Sequence, residues 1–241
     1  MPTDSPTDSP TELVLRPAER HDAEAVAAVH LAARRAGAMP PGVHSDAEVR
    51  SWLTARLAQD EGWVAEVGGE VAGYTRLTDT WLDDLYVAPP YAGQGLGSAL
   101  LALAKSRRPA GFCLWAFEMN RPARRFYARR GLVELERTDG TANEERAPEI
   151  RMAWPGAEPL VFYRRLIDEV DAQLGDLLSR RAALTRAVQP HKADPETRDL
   201  EREHAVAEAL ALRAPALGAD RIQRIVHTII TESLDAARDR S

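Results

Sequence analysis

The sequence predicts two folded parts, a mixed α/β domain followed by an all-α domain. Three observations carry this reading. Strand and helix signals alternate from residue 12 to residue 154, the run Trp154-Pro-Gly-Ala-Glu-Pro159 interrupts any regular element, and beyond Pro159 the apolar residues recur every three or four positions with no convincing strand. A length of 241 residues suits one to two domains, and 44% apolar residues suffice for a buried core. Lys+Arg 31 against Asp+Glu 37 leave a net charge of -6, and neither part is basic, which excludes a broad nucleic-acid-binding face. The lone Cys113 excludes internal disulfides. Residues 1–11 repeat PTDS without an apolar stretch and are expected to form a disordered tail rather than a secretory signal. No apolar run approaches the roughly 20 residues of a helical membrane span, so a cytoplasmic protein is expected. The six histidines show no paired ligand spacing, and no metal site is expected.

Taken in order, Leu13 to Arg16 reads as a short strand, and Arg20 to Gly37 and Asp46 to Gln59 as helices. Trp63 to Val67 and Glu70 to Leu77 flank the pair Gly68-Gly69, the loop length that hairpins favour. A strand over Leu82 to Val87 runs through Pro89 and Pro90 into the turn Gly93-Gln94-Gly95-Leu96-Gly97, which opens an apolar helix from Ser98 to Lys105. A strand at Phe112 to Phe117, a helix at Arg121 to Arg130 and strands near Leu132 and Ile150 complete a domain over residues 12–154. Residues 155–159 form the linker and residues 160–241 the helical domain.

A strand that enters a helix through closely spaced glycines gathers backbone N–H groups and a helix dipole at one point, which suits a pyrophosphate, although the same turn also serves plain packing. A second signature follows it. Leu114-Trp115-Ala-Phe117-Glu118-Met-Asn120 and Ala123-Arg-Arg-Phe126-Tyr127-Ala-Arg-Arg-Gly131-Leu132, after Val87 to Gly97, resemble the closing motifs of the GNAT N-acetyltransferases. The resemblance covers roughly Glu12 to Trp154. It implies a mixed, mostly antiparallel sheet, with acetyl-CoA as co-substrate lying in a V between the Leu82 to Val87 and Phe112 to Phe117 strands. It further implies that Leu85, Tyr86 and Val87 pair with the pantetheine arm, that Gly93, Gln94, Gly95, Leu96, Gly97 and Ser98 take the phosphates, and that Asn120 faces the cofactor. Tyr127 becomes the general acid for the departing thiolate. Asp83 is the first choice for the general base, with Asp84 and Glu118 as substitutes, and each also fits an ordinary strand-end carboxylate. Ala92 stands where the family usually has Arg or Gln, and Leu132 replaces the usual Phe. The acceptor amine has no legible motif.

In the helical part a seam runs Ile167, Val170, Leu174, Leu177, Arg181, Leu184, Val188, one stripe expected to be buried. Arg164 and Lys192 continue it, so three cations share an aliphatic face. A second helix places Asp199 and Glu203 with Val206 and Leu210, beside Arg202, and a third carries Ile222, Ile225, Ile229, Ser233 and Ala237. Buried cations demand anions, which a multiply charged small molecule or interhelical salt bridges can supply. Arg164 and Arg181 lie about 25 Å apart along one helix, too far for one small ligand, so Arg164 is expected to complete a neighbouring chain's site.

From about Leu160 to Arg238 these residues resemble the all-helical, type II chorismate mutases. The resemblance implies an all-α, three-helix domain that forms an intertwined homodimer and converts a chorismate-like dicarboxylate to prephenate without a cofactor. Arg164 of the partner and Arg181 then hold carboxylates, Lys192 the ether oxygen, Asp199 and Glu203 the ring hydroxyl and ether region, and Ser233 a carboxylate, with Arg202 beside them. The rearrangement needs only a compact pose and a fixed cation at the ether oxygen, so Lys192 and Arg181 count as catalytic. Lys192 is one of only two lysines, with Lys105. Ala237 stands where the family has Gln or Glu, and Pro190 threatens the helix that aims Lys192. The combined reading is an acetyltransferase fused to a chorismate mutase acting on chorismate or an aminated analogue. A metabolite-sensing or dimerisation module without turnover is the alternative, and a pyruvate-releasing lyase a third.

Overall fold

A computed structural model describes residues 12–192 and 198–238, and the expected tail over residues 1–11 lies outside them. The chain divides into two compact units, one ending at Tyr163 and one beginning at Arg164.

The first unit opens with β1 (Leu13–Pro17), a short 3-10 turn over Arg20–Asp22, α1 (Ala23–Ala36) and α2 (Asp46–Leu57). Ser45 caps α2 reciprocally with Glu48, the side chain of each accepting from the other's backbone N–H. β2 (Glu61–Val67) and β3 (Glu70–Leu77) are joined by Gly68 and Gly69, both at positive φ as the two-residue hairpin requires. Then come β4 (Leu82–Val87), α3 (Leu96–Arg107), β5 (Phe112–Phe117), α4 (Arg121–Ala128), β6 (Val133–Thr138) and β7 (Glu149–Trp154).

These strands make two antiparallel sheets, in the orders β1-β2-β3-β4 and β5-β7-β6. The core forms where α1 and α2 cover one side of the first sheet, through Val26, Leu53, Val64 and Tyr74, and α3 the other, through Leu96 and Leu100 against Ala72. A third cluster, including Leu101, Phe112, Leu114, Ile150 and Met152, ties α3 to the second sheet. Each large apolar side chain so buried contributes about 1.5–3 kcal/mol.

The second unit is helical: α5 (Pro159–Val188, its residues from Arg164 onward), α6 (Leu200–Arg213) and α7 (Ala219–Arg238). Its core is small, with Ala207 of α6 against Ile222 and Val226 of α7. One expectation is corrected here. On α7 Ile222, Ser233 and Ala237 are buried as expected and Ile229 is half-buried, but Val226 is buried where Ile225 was expected, and Ile225 is exposed. The α5 seam is not buried within the chain: Ile167 is 57% exposed, Leu177 61% and Leu184 59%. Among the described residues of this unit nothing covers that face. Among the described residues no helix is long and apolar enough to cross a membrane.

Candidate functional site

β4 and β5 are the facing edge strands of the two sheets, and they meet at one parallel bridge, Trp81 with Cys113. No ladder continues beyond it, so the strands part. Leu85, Tyr86 and Val87 pair with Thr75, Tyr74 and Gly73 of β3, and their other edge has no strand partner among the described residues. Where β4 ends, Gly93 and Gly95 adopt φ of 79° and 94°, the left-handed region, and Gly95 is the N-cap of α3. A Cβ on either would meet nothing within 4 Å, so the space over this turn is open. The N–H groups of Gly93, Gly95, Leu96 and Gly97 are free to face a ligand. Those of Gln94 and Ser98 are not, since they donate to the carbonyls of Tyr91 (3.4 Å) and Gly95 (2.9 Å), which corrects the expectation that all six amides face the phosphates. Ser98 offers its hydroxyl instead.

Asn120 caps α4, its side-chain oxygen accepting from the Ala123 N–H at 3.2 Å, which leaves its amide N–H₂ for other partners. About two turns on, Tyr127 is 8% exposed, and its hydroxyl makes no hydrogen bond among the described residues. Burial, reinforced by Tyr86 and Asp84, pushes this phenol's pKa well up, so it stays protonated and able to donate.

A cavity of about 940 Å³ is lined from α1, α2, the loop between them, β4, β5 and the loop before β7. Successive strand residues face opposite sides, yet Asp83 and Asp84 both line it. The register explains this: Arg76 faces Asp84 and Leu77 faces Leu82, leaving Asp83 as an extra, bulged residue. Asp84 is buried and bonded to Arg76 Nε at 2.6 Å, and Arg76 also binds Asp60 at 2.6 Å. Asp83 accepts from the hydroxyl and backbone N–H of Thr78 and stands at a looser 3.9 Å from Arg76, with its side chain 26% exposed. Desolvation raises the Asp83 pKa, with Arg76 opposing. Glu118, the other substitute base, is paired with Arg137 at 2.8 Å on the surface. His30 also lines the cavity, with Nδ1 2.7 Å from the Tyr74 hydroxyl, and burial lowers its pKa to about 4, so the imidazole is neutral.

In the helical unit Arg181 of α5 donates to Ser233 Oγ of α7 at 2.7 Å and to the Ile229 carbonyl at 3.3 Å. Two predicted site residues are thus brought together from positions 52 apart in the chain. Three others stand elsewhere than expected. Lys192 is not on the helix: α5 ends at Val188, Gln189–His191 form a 3-10 turn around Pro190, and Lys192 is extended. Proline removes the hydrogen bond that would carry the α-helix onward. Asp199 is the N-cap of α6, accepting from the Arg202 N–H at 2.9 Å, rather than a member of its face. Glu203 is gripped by both arms of Arg198, at 2.8 and 2.7 Å, which holds its carboxyl below the usual range. Arg164 and Arg202 are exposed.

Residues 58–134 match the family model for an acetyltransferase (GNAT) domain. The peptidyl-lysine N-acetyltransferase YiaC of Escherichia coli (strain K12) is 30% identical over 109 residues, spanning 44% of this chain and 71% of that protein. The chain belongs to the GNAT N-acetyltransferases. An uncharacterised N-acetyltransferase of Archaeoglobus fulgidus is 32% identical over 110 residues, 72% of its length. Among solved structures, a GCN5-related N-acetyltransferase from Rhodopseudomonas palustris superposes with a TM-score of 0.50 at 25% identity, covering 61% of this chain and 98% of that one. Apo YjaB from Escherichia coli shares the fold, at TM-score 0.51 and 21% identity over 61% and 99% of the two chains. Beyond the acetyltransferase domain, residues 163–238 match the family model for type II chorismate mutases. An acyltransferase and an isomerase domain therefore stand in one GNAT-family chain, and GNAT domains use acetyl-CoA.

Several residues of this acetyltransferase had no sequence signal. His30, Trp52, Arg76 and Glu144 line the cavity from four separate segments, with no spacing that links them.

Proposed function

We propose a bifunctional enzyme in which the first unit transfers the acetyl group of acetyl-CoA to an amine, and the second rearranges chorismate or an aminated analogue. For the first activity the decisive observation is the buried Tyr127 hydroxyl, protonated and without a partner, in the domain whose β4 edge and glycine turn stand open. The open edge of Leu85 to Val87 suits the amide-bearing pantetheine arm, and the four free amides at Gly93, Gly95, Leu96 and Gly97 suit a pyrophosphate. Acetyl-CoA supplies the activated acetyl thioester. Asp83 takes the proton of the incoming ammonium from the cavity side, and Tyr127 returns one to the sulfur as it leaves. Asn120 orients the arm through its amide N–H₂.

For the second activity the Arg181–Ser233 pair supports a carboxylate site, because among the described residues this guanidinium is held by a hydroxyl and a carbonyl and not by an internal acid. The exposed α5 seam supports a homodimer in which the partner copy covers it and contributes its own Arg164. Glu203 is fixed as a carboxylate, a hydrogen-bond acceptor for a ring hydroxyl, and Lys192 supplies the cation for the ether oxygen. The reading without turnover draws on two features, Lys192 off the helix and Ala237 without a side-chain amide.

One experiment tests both halves. The purified protein is incubated with acetyl-CoA and a panel of amines, and separately with chorismate and with 4-amino-4-deoxychorismate, with products followed by mass spectrometry. N-acetylated product and loss of either chorismate are expected. Failure of every amine to be acetylated contradicts the first half. Tight chorismate binding without turnover leaves a sensor in place of the second.

A further inference from the structure

The glycine turn at α3 lacks a side-chain cation of its own. Ala92 offers a methyl group, and the Gln94 amide is turned back to the Pro90 carbonyl at 2.9 Å. A guanidinium nevertheless stands at this turn, brought from α4 and its continuation. Phe126 packs against Gly97, its Cζ 3.5 Å from where a Cβ would sit. The Arg130 guanidinium stacks on the outer face of that ring, 4.0 Å from the centroid, with Nη1 donating to the Phe126 carbonyl at 3.1 Å and Nη2 to Ser98 Oγ. Ser98 is in the first turn of α3, beside the four free amides.

This cation has no acidic partner among the described residues, and it is half-buried in a chain of net charge -6. Lys105, which donates to the Arg130 carbonyl, has none either. Burial, and to a lesser degree the nearby Arg130 charge, hold the Lys105 pKa down. A phosphate placed over the turn would meet the amides, the helix dipole and the Arg130 fork at once, in the charge-assisted geometry for which guanidinium is suited.

We propose that Arg130 is a donor-binding residue: its guanidinium grips a phosphate of acetyl-CoA at the first turn of α3, in place of the side chain that Ala92 does not provide. This rests on the donor-site reading above and gives a role to a residue of the Ala123 to Leu132 motif that had none. Stacking on Phe126 fixes the fork before the donor arrives, so little side-chain entropy is lost on binding.

The test is calorimetric binding of CoA, 3′-dephospho-CoA and pantetheine to the full chain, with steady-state kinetics in acetyl-CoA. The variants are Arg130→Met, Arg130→Lys, Gly95→Val and the double variant Ala92→Arg/Arg130→Met, each checked for folding by circular dichroism. Arg130→Met is expected to weaken CoA about 10- to 100-fold, the scale of a charge-assisted pair. It should raise KM for acetyl-CoA by a similar factor with kcat unchanged, and leave pantetheine binding as in wild type. Arg130→Lys should fall between, and Ala92→Arg should recover part of the loss. An equal loss for CoA and 3′-dephospho-CoA assigns the contact to the pyrophosphate, and a loss for CoA alone to the 3′-phosphate; both support the proposal. Wild-type CoA affinity in Arg130→Met, while Gly95→Val loses it, overturns the Arg130 role and leaves the donor site standing. Indifference of CoA binding to both Gly95→Val and Arg130→Met overturns the donor-site reading and the proposal with it.

Discussion

The two units solve burial in different ways. The acetyltransferase unit encloses its own core, with Tyr74, Phe112, Leu100 and Ile150 removed from water between two sheets and their covering helices. In the helical unit α6 and α7 bury only a few small and branched residues against each other, and α5 presents Ile167, Val170, Leu174, Leu177, Leu184 and Val188 to solvent. A single chain does not expose such a stripe without a function for it. The difference teaches where each chemistry is assembled. In the proposed reading the donor cleft, Tyr127 and Asp83 come from one chain, whereas the Arg181–Ser233 corner is half of a site that a second copy finishes.

That contrast can be broken or sharpened at several points. The largest expected effect is at Arg181, where Arg181→Ala should cut chorismate turnover about 100- to 1,000-fold, as loss of a preorganised charge does, while acetyl transfer in the same sample stays unchanged. The mirror experiment is Tyr127→Phe. Losing the general acid should lower kcat for acetyl transfer by about 100-fold with little change in KM for acetyl-CoA, and chorismate loss should be unaffected. Smaller in chemistry but direct in geometry, Leu177→Asp puts a charge in the exposed seam. Analytical ultracentrifugation should then show a dimer become a monomer that still transfers acetyl groups.

The smallest effect concerns pH. Arg198 holds Glu203 below the ordinary carboxylate range, so Glu203 stays ionised further into acid than a free glutamate would. Removing that partner returns the pKa upward. The acid limb of the mutase pH profile should therefore move to higher pH in Arg198→Met, and an unmoved limb would show that Glu203 ionisation is not needed.

Much of this was legible before any coordinates. The Gly68-Gly69 hairpin and the strands at Glu70 to Leu77, Leu82 to Val87 and Phe112 to Phe117 follow from turn residues and apolar runs that act locally. The donor turn was legible for the same reason. Ser98 and Gln94 were misjudged there because amide availability depends on which carbonyl each N–H meets, which residue type does not encode. On α7 one member of the stripe was misplaced, Ile225 for the buried Val226, because Ile225, Val226, Ile229 and Ile230 are apolar on adjacent faces. The bulge that turns Asp83 toward the cavity, and the joining of His30, Trp52 and Arg76 there, are properties of strand register and of packing between distant segments. The α5 seam was legible as an apolar stripe and stands exposed in the single chain, since a sequence states the stripe and not what packs on it.

The central claim, one self-contained site and one shared site, is tested most directly by complementation. Arg164→Ala and Arg181→Ala chains are each expected to be nearly inactive as mutases. Co-expressed, they form mixed dimers in which one of the two sites has both arginines, and chorismate turnover should return to as much as about a quarter of wild type. Acetyl transfer should be constant throughout. Full mutase activity in Arg164→Ala alone, or no recovery on co-expression of chains shown to pair, would contradict the account.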